Sequence, residues 1–173
     1  FALEVLRELS PDEQAFLHAT CVLERLTPEL CIAITDRADA GHLLRTLARA
    51  NLFIVPIDAD TTAFRYHPLF ADFLRDSLRL HDPNLLRQNH RRAAEWYAEH
   101  DLFAEAVAHA LESADWAWAA SLIEERAWPA LTARGEIVTI LRWLGRFPEG
   151  ILHSAPRLML YYSRALYLTG DIE

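Results

Sequence analysis

Residues 64–75 read FRYHPLFADFLR, and the chemistry in this string lies in His67 and Arg65. A neutral imidazole has one donor and one acceptor nitrogen, enough to bond a phosphate, a carboxylate or a backbone group. Pro68 restricts His67 away from helical geometry, and Leu69, Phe70, Phe73 and Leu74 form the apolar stripe of a helix that follows. The spacing therefore puts His67 at or beside a helix N-cap, where unpaired N–H groups and the positive end of the helix dipole favour an anion. Two roles stay open for it: contact with such an anion, or capping of the helix and bonding to backbone. Arg65 alternates with Phe64 and Tyr66 and so points to the opposite face. It either assists the same anion or pairs with Asp72 or Asp76 on the surface, the surface pairing being the favoured reading.

Other reactive types do not assemble into a catalytic set. The chain has no lysine at all, so the GxxxxGK[ST] loop that reaches nucleotide phosphates cannot lie within it, and any ATP chemistry needs residues elsewhere. Cys21 and Cys31 are ten residues apart with no CxxC and no matching His pair, which makes them expected buried free thiols in a reducing cytoplasm, not metal ligands or a disulfide. His90, His100 and His109 lack ligand spacing and read as helix-surface or capping residues. Asp12–Glu13 and Glu124–Glu125 are adjacent charges, most simply solvated or complementing helix dipoles. No nucleophile has a placed base, so neither a catalytic nor a metal site is expected.

The elements that must position these residues begin with a soluble composition. The 173 residues are 52% hydrophobic, and 17 basic against 25 acidic residues leave a net charge of −8, divided evenly between residues 1–80 and 81–173. Neither half is built to grip a phosphate backbone. A DNA-reading helix is confined to residues 39–49, where His42, Arg45 and Arg49 stand among leucines and alanines. No apolar run approaches a bilayer span, and no signal-peptide pattern leads the chain. The first residue is Phe1, so the chain reads as a piece excised from something longer.

The first domain, residues 1–81, reads as three short helices, a two-stranded wing and a closing helix. Ser10-Pro11-Asp12-Glu13 is a capping box with proline in the first turn, and Thr27-Pro28-Glu29 repeats the device. Leu43, Leu44 and Leu47 then recur at helical spacing before Asn51. LFIVPIDADTTAFRY gives two β-rich runs around a turn at residues 58–61, and Pro56 confines its strand to an edge. From residue 82 onward, helices are expected at about 84–100, 102–113, 115–127, 134–146 and 156–169. All five tryptophans lie in that half as core filling. The rhyme of EHDLFAEAVAHAL, SADWAWAASLIEE and TGDIE suggests antiparallel helix pairs in an irregular tetratricopeptide-like (TPR-like) array, cut at Glu173 just as another helix begins. The fold class is mainly α: a winged helix, then a helical-repeat region over residues 82–173.

Over these same runs, including LSPDEQAFLHATCVLERLTPELCIAIT, LLRTLARANLFIVPID, FRYHPLFADFLRDSLR and HRRAAEWYAEHDLFAEAVAHALESADW, the chain resembles the MalT-like group of ATP-dependent bacterial transcriptional regulators of the LuxR family. These are multidomain signal-transduction (STAND-class) ATPases. The resemblance implies an upstream nucleotide-binding domain of the same chain as partner, and a small-molecule or protein inducer sensed by the helical repeats. DNA would be contacted solely through a C-terminal domain absent from these residues. ATP or ADP belongs to the full-length protein, with none expected to bind this piece tightly. In the wider ATPase class a winged-helix histidine contacts the ADP β-phosphate and holds the protein closed; His67 is the position that matches. A helical adaptor that binds protein without any nucleotide role is the alternative.

Overall fold

The computed structural model describes residues 2–50, 53–57, 60 and 62–170. They fall into two compact units, Phe1–Ala93 and Ala94–Glu173, and no described helix is long and apolar enough to cross a membrane. The protein is mainly α, a winged-helix domain followed by further helices, with one two-stranded sheet among the described residues.

In the first unit the helix starts are set by side chains the sequence announces. After α1 (Ala2–Glu8), α2 (Pro11–Thr20) opens on a reciprocal cap. The Ser10 hydroxyl accepts from the Glu13 N–H at 3.3 Å, and the Glu13 carboxylate accepts from the Ser10 N–H at 2.8 Å. The Ser10 hydroxyl also donates to that carboxylate at 2.7 Å, and this bond, with that from the Ser10 N–H, holds the Glu13 carboxyl below its ordinary value. Thr27 accepts from the Leu30 N–H to start α3 (Pro28–Thr35), and α4 (Ala40–Arg49) follows. Their apolar faces close one core around Phe16, Leu17, Leu30, Ile34, Leu44 and Leu47, each at most 2% exposed. Cys21 and Cys31 lie in it as free thiols, and burial pushes both up to about 12, which leaves them poor nucleophiles.

Strands β1 (Ile54–Pro56) and β2 (Phe64–Tyr66) pair antiparallel with Ile54 opposite Tyr66, Val55 opposite Arg65 and Pro56 opposite Phe64. Pro56 fits for a specific reason. The Phe64 N–H and C=O turn away from it to the other edge of β2, where they bond the Leu26 C=O and N–H at 2.9 and 2.8 Å. The missing proline donor therefore faces no waiting acceptor. Leu26 acts as a third, single-residue strand that the sequence reading did not anticipate. Of the expected turn at residues 58–61, positions 58, 59 and 61 lie outside the described residues, as do Asn51 and residues 171–173.

Helix α5 (Pro68–His81) closes the wing, and α6 (Pro83–Glu99) follows after Asp82. The sequence reading ended the first domain at residue 81, but the first half of α6 is bonded into this unit. Asn89 donates to the His18 carbonyl at 3.1 Å, and Arg92 donates to the Ile34 carbonyl at 2.6 Å and lies 3.2 Å from Asp36. Arg75 of α5 likewise donates to the Cys21 carbonyl at 3.1 Å. All three acceptors lie at or near the C-terminal ends of α2 and α3, where carbonyls lack intrahelical donors. His90 is buried, not on the surface as expected, because it shares with Leu86, Asn89 and Ala93 the face that α6 turns inward.

In the second unit, α7 (Phe103–Glu112) packs on α8 (Trp116–Leu122), which continues through a π-helical segment, Ile123–Ala127, into α9 (Trp128–Ala133). Pro129 accounts for the π segment. A proline removes an N–H and crowds the preceding turn, and here the Trp128 N–H reaches back five residues to Ile123, widening the turn just before it. The expected helix at 134–146 is the shorter α10 (Ile137–Leu144); α11 (Glu149–Ser154) was not foreseen, and α12 (Pro156–Thr169) falls where expected. Of the tryptophans, Trp128 and Trp143 are buried, while Trp96, Trp116 and Trp118 are half-buried. His100 stacks on Trp96 at 3.8 Å and His109 on Tyr97 at 5.3 Å between ring centres.

Candidate functional site

Tyr66 fixes the wing. Its ring is 4% exposed, and its hydroxyl lies 2.6 Å from that of Thr20, which donates to the Phe16 carbonyl at 2.7 Å. Because the Thr20 proton is committed to that carbonyl, the Tyr66 hydroxyl is the donor to Thr20. Burial pushes the Tyr66 phenol well above its ordinary value. β2 is thus held by a hydroxyl relay on one face and by the Phe70 ring at 6.1 Å below it.

His67 is the N-cap of α5, in extended backbone at φ −60°, ψ 131°. Its N–H continues the ladder to the Phe53 carbonyl at 2.7 Å, and its own carbonyl accepts from the Phe70 and Ala71 N–H groups at 2.9 and 3.0 Å. The side chain makes no capping bond and is exposed. Of the two roles open for it, capping is therefore not what the imidazole does. The helix end is also leaner in donors than its sequence suggests. Pro68 has no N–H and those of Phe70 and Ala71 turn back onto His67, which leaves the Leu69 N–H in the first turn.

Arg65 is exposed between buried Phe64 and Tyr66, as alternation requires. The partners expected for it are taken: Asp72 pairs with Arg75 at 2.6 Å and Asp76 with Arg79. With strand alternation, Arg65 and His67 fall on one face of the wing, beside Val55 and Ile57, which are 41% and 48% exposed, and near Leu69 at 75%. The result is an exposed surface of one guanidinium, one imidazole and apolar side chains. Among the described residues it has no cradle of backbone N–H groups, and the chain has no lysine, so these residues do not make a complete nucleotide site. Among the described residues no group of His, Cys, Asp and Glu could hold a metal ion.

One feature of the surface escaped the sequence reading, although its signal is there. No acidic residue occurs between Asp39 and Asp58, nor between Asp60 and Asp72. In a chain of net charge −8, His42, Arg45, Arg49, Arg65 and His67 fall in these two acid-free intervals, which Asp58 and Asp60 of the turn separate.

A family model described as the MalT winged helix domain matches residues 2–86. Over 156 residues, 90% of the chain, it is 32% identical to the serine/threonine-protein kinase PknK of Mycobacterium tuberculosis. Over 157 residues, 91% of the chain, it is 30% identical to the HTH-type transcriptional regulator MalT of Vibrio parahaemolyticus and 31% identical to that of Yersinia enterocolitica. The chain spans 14% of the length of the kinase and 17% of that of the regulators.

Proposed function

Residues 2–86 belong to the MalT winged-helix family, and from that premise we propose that the chain is the switch segment of a multidomain, ATP-dependent transcriptional regulator. In this reading the winged helix closes on an upstream nucleotide-binding domain of the same chain, with His67 on the ADP β-phosphate and Arg65 assisting. Exchange of ADP for ATP releases the contact. The helices after residue 82 begin a TPR-like array that senses a small-molecule or protein inducer, and DNA is reached by a C-terminal domain outside these residues.

The observation that carries this reading is the breadth of the match. Nine-tenths of the chain is shared with proteins named for two different outputs, a protein kinase and HTH-type regulators. A segment common to both belongs to the shared input side, not to either output. The imidazole is exposed and makes no capping bond to its own helix, which leaves it available for the nucleotide contact.

Hydrogen exchange of the full multidomain protein tests the reading. With ADP bound, amides of β2 and the first turn of α5 should exchange more slowly than with ATP, because the closed form covers them. Equal exchange in the two nucleotide states would leave a nucleotide-independent adaptor as the better description.

A further inference from the structure

A second site lies on the other side of β2. Where α4 meets the wing, Arg45, Ala48, Arg49, Pro56 and Phe64 line a cleft of about 230 Å³. Arg45 and Arg49 are exposed, stand one helical turn apart and both line the cleft together with Ala48, Pro56 and Phe64. Four other arginines of the unit have carboxylate partners: Arg37 with Asp39, Arg75 with Asp72, Arg79 with Asp76 and Arg92 with Asp36. Arg45 and Arg49 have none among the described residues, and no acidic residue occurs from residue 40 to 57.

We propose that this cleft docks an acidic protein segment, with Arg45 and Arg49 holding its carboxylates and an apolar side chain of the segment seated against Pro56, Ala48 and Phe64. Charge selects that occupant. An arginine fork matches a carboxylate bidentately, and an unpaired cationic turn in a chain of net charge −8 attracts anions locally while repelling them elsewhere. Duplex DNA also carries anions, and α4 sits where a winged helix would read a groove. Two arginines and His42 are too few phosphate contacts to hold DNA against the remaining acidic surface. A phosphodiester also has no apolar group to set against Ala48, Pro56 and Phe64. The site is separate from His67, and the inference does not depend on a nucleotide.

The test uses the 173-residue chain and a short fluorescein-labelled peptide repeating Glu-Glu-Leu, read by anisotropy. Binding should weaken with added salt, and Arg45→Gln and Arg49→Gln should each weaken it by about tenfold, the loss of one charge-assisted bond. Arg79→Gln changes the net charge equally on the exposed side of α5, away from the cleft, and should leave affinity unchanged. The thermal midpoint of each variant reports that the fold is intact, since these side chains lie on exposed faces. The proposal is overturned if the peptide does not bind, if a Gln-Gln-Leu peptide binds as well, or if Arg79→Gln costs as much as the cleft variants. Preferential binding of duplex DNA over the acidic peptide would also overturn it, making the face a nucleic-acid surface.

Discussion

Replacing Tyr66 with alanine should destabilise the first unit by about 3–5 kcal/mol, the range for deleting a buried aromatic side chain, whereas Tyr66→Phe should cost about 1 kcal/mol for the lost hydroxyl bond. The difference follows from where the atoms sit. The ring fills the space between α2 and α5 and touches Phe70, while the hydroxyl adds one bond to a relay that Thr20 already anchors on the Phe16 carbonyl. Against a typical domain stability of about 5–15 kcal/mol, the alanine variant loses a large fraction of its folding free energy and the phenylalanine variant does not. Urea unfolding measures both. A pH series adds an independent readout. The folded phenol titrates above its ordinary value of 10, so the stability it contributes is full below pH 10 and is lost as pH rises beyond it toward the folded value. That alkaline loss should be smaller in Tyr66→Phe. Equal costs for the two substitutions would mean that the hydroxyl, not the ring, holds the wing.

A piece ending at residue 81 should be less stable than one ending at residue 93 by about 4 kcal/mol. Removing the first half of α6 exposes the surface that buries Leu86, worth about 2 kcal/mol. It also strips the His18 and Ile34 carbonyls of the donors Asn89 and Arg92, worth roughly 1 kcal/mol each. Within the intact chain, Asn89→Ala should cost about 1 kcal/mol by leaving the part-buried His18 carbonyl with the weak Cys21 thiol donor. Equal denaturation midpoints for the two pieces would place the end of the unit at Asp82.

What could be read from the sequence was local. Ser10, Thr27 and Pro68 announce their helix starts because an N-cap acts on residues two or three positions away. The wing register follows from alternation across one turn, and His67 was legible as an N-cap through the restriction Pro68 imposes. The contacts that lock these elements together were not legible, since each joins residues far apart in the chain: Leu26 to Phe64, Thr20 to Tyr66, Ile34 to Arg92. No periodicity encodes such pairings. The burial of His90 is different in kind: its spacing from Leu86 and Ala93 places it on the inward stripe, although its polar type favours the surface. The π segment could also have been expected from Pro129 after a helical pattern. The acid-free intervals lay in plain view. Their meaning emerges once α4 and β1 are seen to pack together.

Dissociation of ADP from the full multidomain protein tests the proposed contact of His67 with nucleotide directly. An imidazole bonded to a phosphate makes a charge-assisted bond of roughly 1.5–3 kcal/mol. His67→Ala should therefore release labelled ADP at least about tenfold faster and raise activity without inducer. The exposed side chain, free of capping bonds, makes a folding defect an unexpected source of that change. An ADP release rate and a basal activity both unchanged by His67→Ala would contradict the account.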